Sequence, residues 1–208
     1  SNFVIFIFLS VNHCFISIRC KSTKKSVLLH SFNYEVLNMF DFSKVRTIDD
    51  FPTPGIKFYD ITTLLKDEKE FKNAINDMWE VAKQLNPNVL VALETRGYFF
   101  GPTLSYLMGI PFVPIRKKGK LPAATYSASY ALEYGTDSIE IHQDAIEEHQ
   151  RILLLDDVLA TGGTMSAAIQ LVRNFNPEKV DTMFLIELTA LNGRDKLKNC
   201  SINSIIQI

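Results

Sequence analysis

The sequence predicts an α/β domain in which a twisted, mostly parallel sheet is flanked by helices. Two observations predict it. Short, nearly continuous apolar runs recur at 89–93 (VLVAL), 112–115 (FVPI), 151–155 (RILLL) and 182–188 (TMFLIEL), as expected of strands buried on both faces. Stretches of helical spacing at 98–108 and 165–175 lie between them, and that alternation builds parallel sheets. Such sheets bind ligands where loops leave the carboxyl ends of the strands. The segments beginning at 94, 116 and 156 read ETRG, RKKGK and DDVLATGGT.

Composition narrows the class. The 208 residues carry 22 Lys+Arg and 23 Asp+Glu and are 47% hydrophobic, a balance typical of one or two globular domains and not of a disordered chain. With a formal net charge of -1 and no long basic run, no nucleic-acid partner is expected, since that requires a clustered positive face. Three cysteines, Cys14, Cys20 and Cys200, supply neither a disulfide framework nor a zinc spacing, so a reducing, cytoplasmic location is expected.

Residues 1–38 stand apart. The first 34 hold Arg19, Lys21, Lys24 and Lys25 and no acid, and the first Gly or Pro of the chain is Pro52. The uncharged run 3–18 is interrupted by Ser10, Asn12 and His13 and falls short of the roughly 20 apolar residues that span a bilayer, so no membrane partner is expected. The segment reads as an N-terminal extension that folds poorly or lies outside the working protein. Its basic, Ser-rich, acid-free character leaves organelle targeting open. Met39 stands where the compact domain, 39–208, begins.

Within that domain FPTPGIKFYDIT (51–62) has two prolines and a glycine that set an irregular backbone, with Phe58 offering a face for stacking. A linker accounts for Pro52 and Pro54 but not for the whole segment. From Glu68 to Leu85, Phe71, Ala74, Ile75, Met78, Ala82 and Leu85 recur at spacings of three and four, one face of an amphipathic helix. Trp79 on this helix reads as packing. RKKGK (116–120) puts four cations in five residues. Alone it is a solvated turn, but it follows a buried strand. The stretch 117–142 is too long for an ordinary connection and reads as a mobile flap followed by a short strand, around Glu133, Tyr134 and Gly135. His13, His30, His142 and His149 form no ligand spacing.

The strongest signal is RILLLDDVLATGGTMSAAIQLV (151–172). A hydrophobic strand ends in Asp156 and Asp157, and a short loop with Thr161, Gly162, Gly163 and Thr164 then opens a helix. Backbone N–H groups of such a loop, with the positive end of the helix dipole, suit a monophosphate. The two carboxylates sit where a sugar on that phosphate would present vicinal hydroxyls and a developing positive charge. A magnesium-holding strand end of the nucleotide-hydrolase kind would require a GxxxxGK[ST] loop, which the chain lacks.

DDVLATGGT with its preceding strand resembles the phosphoribosyl pyrophosphate motif of the type I phosphoribosyltransferases. FPTPGIKFYDITTLL (51–65), LETRGYFFGPTLSYLMGIPFVPIRKKGKLP (93–122) and SYALEYG (129–135) narrow the resemblance to the adenine phosphoribosyltransferase family, from about residue 42 to the C-terminus. The resemblance implies the type I fold with a small N-terminal hood and a flexible flap. It implies purine salvage: adenine and 5-phosphoribosyl 1-pyrophosphate giving AMP and pyrophosphate, with Mg2+ held mainly through substrate and a homodimeric assembly. It assigns the 5'-phosphate to the segment Val158, Leu159, Ala160, Thr161, Gly162, Gly163 and Thr164, and the ribose hydroxyls to Asp156 and Asp157. Glu94, Thr95, Arg96 and Gly97 would wrap the pyrophosphate, with a cis peptide between Glu94 and Thr95, and Arg116, Lys117 and Lys120 would reach it, some of them across the dimer. The main chain at Lys57 and Tyr59 would read adenine while Phe58 stacks on it; Arg is common in the family where Tyr59 stands here. Glu133 would serve as acid/base with Tyr134 beside it. Two rivals remain at this level: a transferase for hypoxanthine, guanine or orotate, and a non-catalytic sensor that keeps the sugar-phosphate pocket.

Overall fold

The computed structural model describes residues 3–10, 13–20, 26–32, 40–131 and 136–208. The chain divides into two units, Ser1–Met39 and Phe40–Ile208. In the first, the backbone forms three antiparallel strands in chain order, β1 (Phe3–Ser10), β2 (His13–Cys20) and β3 (Ser26–Phe32). The β-branched and aromatic residues of FVIFIFLS favour an extended backbone.

The second unit begins with two short antiparallel strands, β4 (Arg46–Ile48) and β5 (Phe58–Asp60), and helix α1 (Thr62–Lys66). Helix α2 (Glu68–Leu85) has the predicted limits; Asp67 caps it by accepting the N–H groups of Lys69 and Glu70, and Asn86 ends it in the left-handed conformation. After it come β6 (Val89–Leu93), α3 (Gly101–Met108), β7 (Phe112–Lys117), β8 (Thr125–Ala131), β9 (Thr136–His142), β10 (Arg151–Leu159), α4 (Gly163–Arg173), β11 (Lys179–Glu187) and β12 (Ser201–Gln207). The sheet order is β12-β11-β10-β6-β7-β9-β8. Its first five strands are parallel, and the β8–β9 hairpin adds an antiparallel edge.

Side chains alternate across this sheet. Val89, Val91 and Leu93 join Ile152, Leu154 and the α4 residues Ala168 and Val172 in one core. Leu90, Ala92, Leu153 and Leu155 join Ile75 and Met78 of α2 and Ile61 and Leu64 at α1 in the other. The chain steps outward from β6 to β7 in one direction and from β10 to β11 and β12 in the other, so the switch point that forms a crevice in such sheets falls between β6 and β10.

Three sequence expectations are corrected. The stretch 117–142 holds two seven-residue strands, not a loop and one short strand, because Tyr126, Ala128 and Tyr130, spaced by two, pack against the α4 core. Arg116 and Lys117 belong to β7, where they pair with Glu140 and Ile139 of β9. Asp156 and Asp157 lie inside β10, which runs four residues past the predicted end because β11 still pairs with it.

Candidate active site

At the switch point β10 outlasts its neighbour. Its pairing with β6 ends at Leu155 and Ala92, while pairing with β11 continues through Asp156, Val158 and Leu159. The freed edge is met by the 3-10 turn at Arg96–Phe99. Gly97 makes the approach possible: a Cβ there would stand 2.9 Å from the Leu155 carbonyl and 3.4 Å from Asp156 Oδ1. The peptide between Glu94 and Thr95 is cis, as the resemblance implied.

The turn aims Arg96 at the acids. Its Nε stands 3.0 Å from Asp157 Oδ2, without the alignment of a hydrogen bond, so that buried oxygen has no donor. The guanidinium carbon lies 5.4 Å from the centre of the Phe58 ring, within cation–π range, and Phe51 meets Phe58 edge-on at 5.1 Å. Arg96 thus brings together the end of β10, through Asp157, and β5, through Phe58.

Burial drives the Asp156 carboxyl well above the usual carboxylate range, and the adjacent Asp157 charge adds to the rise. Asp157 is 2% exposed; burial raises its carboxyl too, and Arg96 pulls it back in part. Two neighbouring acids both raised by burial favour a partner that supplies positive charge or hydrogen-bond donors.

Following β10, Gly162 at φ +76 opens α4 and no side chain caps the helix. Ser166 N–H bonds back to the Gly162 carbonyl at 2.9 Å, but the N–H groups of Gly163, Thr164 and Met165 have no partner within the helix. They form a ready anion cradle. Ala160, Thr161 and Thr164 keep surface open to solvent, while Gly162 is buried. Val158 and Leu159 face the two cores with their side chains.

The basic segment is less free than its charge suggests. Arg116 donates through Nε and Nη2 to Glu94 at 3.2 and 3.4 Å, and the Lys117 amide donates to the same carboxylate at 3.0 Å. Burial opposes the Glu94 charge, yet these donors outweigh it and hold the carboxyl below its ordinary value. Lys117 Nζ lies 3.2 Å from Asp137 Oδ2, which also accepts from Tyr130. Among the described residues Lys120 makes no ion pair.

In β5, strand alternation separates Phe58 from Tyr59. Phe58 turns to Arg96, while Tyr59 packs on the α2-side core beside Phe42. Lys57 is exposed, 3.8 Å from Asp49. The neighbouring Asp60 anchors the strand: hydrogen bonds from Thr62 and Arg46 lower its carboxyl to about 2. Glu133 and Tyr134 lie outside the described residues.

Sequence reasoning missed Gly193. A Cβ there would fall 2.2 Å from the Ala160 carbonyl, and one on Gly162 would fall 2.4 Å from the Gly193 carbonyl, so two backbones touch behind the anion cradle. The Asn192–Gly193 dipeptide was the available signal. Trp79 is packing, as expected, partly buried against the α2-side core. Among the described residues no group of three metal-ligating side chains forms, and no helix is long and apolar enough to cross a membrane.

An anion cradle after a central strand, with two acids before it, is an arrangement suited to a phosphorylated sugar. Accordingly, residues 61–206 match the phosphoribosyl transferase domain family. Adenine phosphoribosyltransferase of Acidobacterium capsulatum is 48% identical over 177 residues, covering 85% of this chain and 96% of that one. The solved adenine phosphoribosyltransferase of Thermoanaerobacter pseudethanolicus is 48% identical with a TM-score of 0.73, covering 80% of this chain and 96% of the other. That of Saccharomyces cerevisiae, solved with an imino-altritol bisphosphate and adenine, is 35% identical with a TM-score of 0.74, covering 78% and 94%. The chain belongs to the adenine phosphoribosyltransferase family.

Proposed function

We propose that the chain transfers the phosphoribosyl group of 5-phosphoribosyl 1-pyrophosphate to adenine, releasing AMP and pyrophosphate in purine salvage. One observation carries this reading: Arg96 stands between the unsatisfied Asp157 carboxylate and the Phe58 ring, at the mouth of the strand that feeds the anion cradle. The cradle amides of Gly163 and Thr164, with Thr161, would hold the 5'-phosphate. Asp156 and Asp157 would accept the ribose 2'- and 3'-hydroxyls and face the positive charge that develops at C1' as the bond to pyrophosphate breaks. Arg96 donates to the departing pyrophosphate. The adenine nitrogen forms the new bond to C1', its proton passing to Glu133.

Magnesium would accompany the substrate's pyrophosphate and would supply charge screening there. Asp156 and Asp157 would give it supporting contact and are too few to hold the ion alone. The residues named above bind and orient the substrate. Arg116 and Lys117 would exchange Glu94 and Asp137 for pyrophosphate, and Lys120 would join them.

A second copy of the chain fits the reading. Phe99, Thr103, Tyr106 and Leu107 lie on one exposed face of the turn and helix next to the pyrophosphate turn, with Tyr106 85% exposed, and a homodimer would cover them. The absence of a disulfide framework in the sequence accords with a cytoplasmic location.

The test is competition among adenine, hypoxanthine, guanine and orotate for labelled 5-phosphoribosyl 1-pyrophosphate. AMP formation with adenine alone is expected. Pyrophosphate release with another base but not adenine would reassign the base, and binding without turnover of any base would make the chain a sensor.

A further inference from the structure

The phosphate cradle has no side-chain cap, so something else must fix its position. Behind it, the Gly193 backbone stands in the contact already described, against Ala160 and Gly162. Gly193 belongs to a tight turn: Asn192 is left-handed at φ +51 and its carbonyl accepts the Asp195 N–H at 3.1 Å.

That turn is tied down by the next residue. Arg194 donates through Nε and Nη2 to the two oxygens of Glu187, the latter at 2.6 Å, and through Nη1 to the Ile202 carbonyl at 3.2 Å. Ser204 and Gln207 of β12 complete the shell around the carboxylate. Glu187 is 3% exposed and is the β11 partner of Leu159, the residue directly before the cradle.

We infer that Glu187 and Arg194 are positioning residues for phosphate binding, holding Gly193 as a backstop that sets where the Ala160–Thr164 amides point. Every donor of Arg194 named above is spent inside the protein, so Arg194 supports the cradle from behind instead of touching the ligand. An ion pair with only its acid buried adds little stability over a well-packed apolar pair. Its forked geometry does fix the turn in one register, and displaced amides would lose charge-assisted bonds to a phosphate.

This inference rests on the proposed reading of the cradle, and the test separates the two. AMP and adenosine differ by the phosphate alone, so calorimetric titration of each into the full chain isolates the cradle's contribution. In Arg194→Met, AMP binding is expected to weaken about tenfold, as for lost hydrogen bonds to a charged group. Adenosine binding should stay unchanged, and Arg194→Lys should fall between. In steady state the KM for 5-phosphoribosyl 1-pyrophosphate should rise with little change in kcat. Arg194 is partly exposed, so both variants are expected to fold, and thermal melting checks that they do. Undiminished AMP binding in Arg194→Met, or equal losses of AMP and adenosine binding, would overturn the inference. An unaltered chain with no preference for AMP over adenosine would overturn the cradle reading, and the inference with it.

Discussion

Asp157 on β10 and Glu187 on β11 are 2% and 3% exposed, and their surroundings treat the two charges in opposite ways. Around Glu187, Arg194, Ser204 and Gln207 supply donors to both oxygens, and the Arg194 bonds, against the cost of burial, hold the carboxyl below its ordinary value. Around Asp157, burial dominates and raises the carboxyl, while Arg96 approaches without donating and leaves an oxygen bare. Burying a charge is costly unless it is paired and hydrogen-bonded. Behind the cradle the buried carboxylate is thus satisfied within the protein, and on the crevice side one buried carboxylate oxygen lacks a donor.

The largest expected effect is on the crevice side. Asp157→Asn should lower turnover by about a hundredfold or more, the usual scale for losing one charge aimed at a transition state. The same change should raise the melting temperature, because it removes a buried charge that Arg96 only partly offsets. Calorimetric melting beside a turnover assay checks both; a lower melting temperature would mean that Arg96 already neutralises the acid. Glu187→Gln should do the reverse to stability. Breaking this partly exposed pair should cost about 2 kcal/mol, or roughly 5 °C in a domain of this size, and a melting temperature equal to that of the unaltered chain would erase the contrast.

The smallest effect is in pH dependence. Asp156, raised in the fold, binds its proton more tightly folded than unfolded. It carries no penalty below its ordinary value of about 4 and an increasing one as pH rises from there through its folded value. Glu187, depressed, contributes fully above the ordinary glutamate value of about 4 and loses that contribution as pH falls through its folded value. Melting curves across this range should flatten on the neutral side in Asp156→Asn and on the acid side in Glu187→Gln. Parallel curves for both variants would show that the two acids do not differ.

Much of this was legible in the residues. The spacing of Phe71, Ala74, Ile75, Met78, Ala82 and Leu85 marked α2 to both ends, and VLVAL marked β6. Polar strand segments were harder. Asp156 and Asp157 read as the start of a loop, yet β10 carries on because β11 lies beside it. The stretch SINSIIQ alternates weakly, and β12 is a strand because it sits at the sheet edge, against β11. Similarly, the hairpin arm Tyr126–Tyr130 gains its strand character from α4, against which its tyrosines pack.

The amino-acid order alone determined the alternation of helix and strand, the glycine-bearing loop that opens α4, and the types of side chain available to it. Those are local properties, fixed by periodicity, turn residues and the hydrogen-bonding capacity of neighbouring groups. Tertiary structure decided which distant segments meet: Arg96 with Asp157 and Phe58 at the crevice, and Gly193 with Ala160 and Gly162 behind it. Such meetings depend on how strands stack in the sheet and how closely two backbones can approach, and neither is written in the neighbourhood of any one residue.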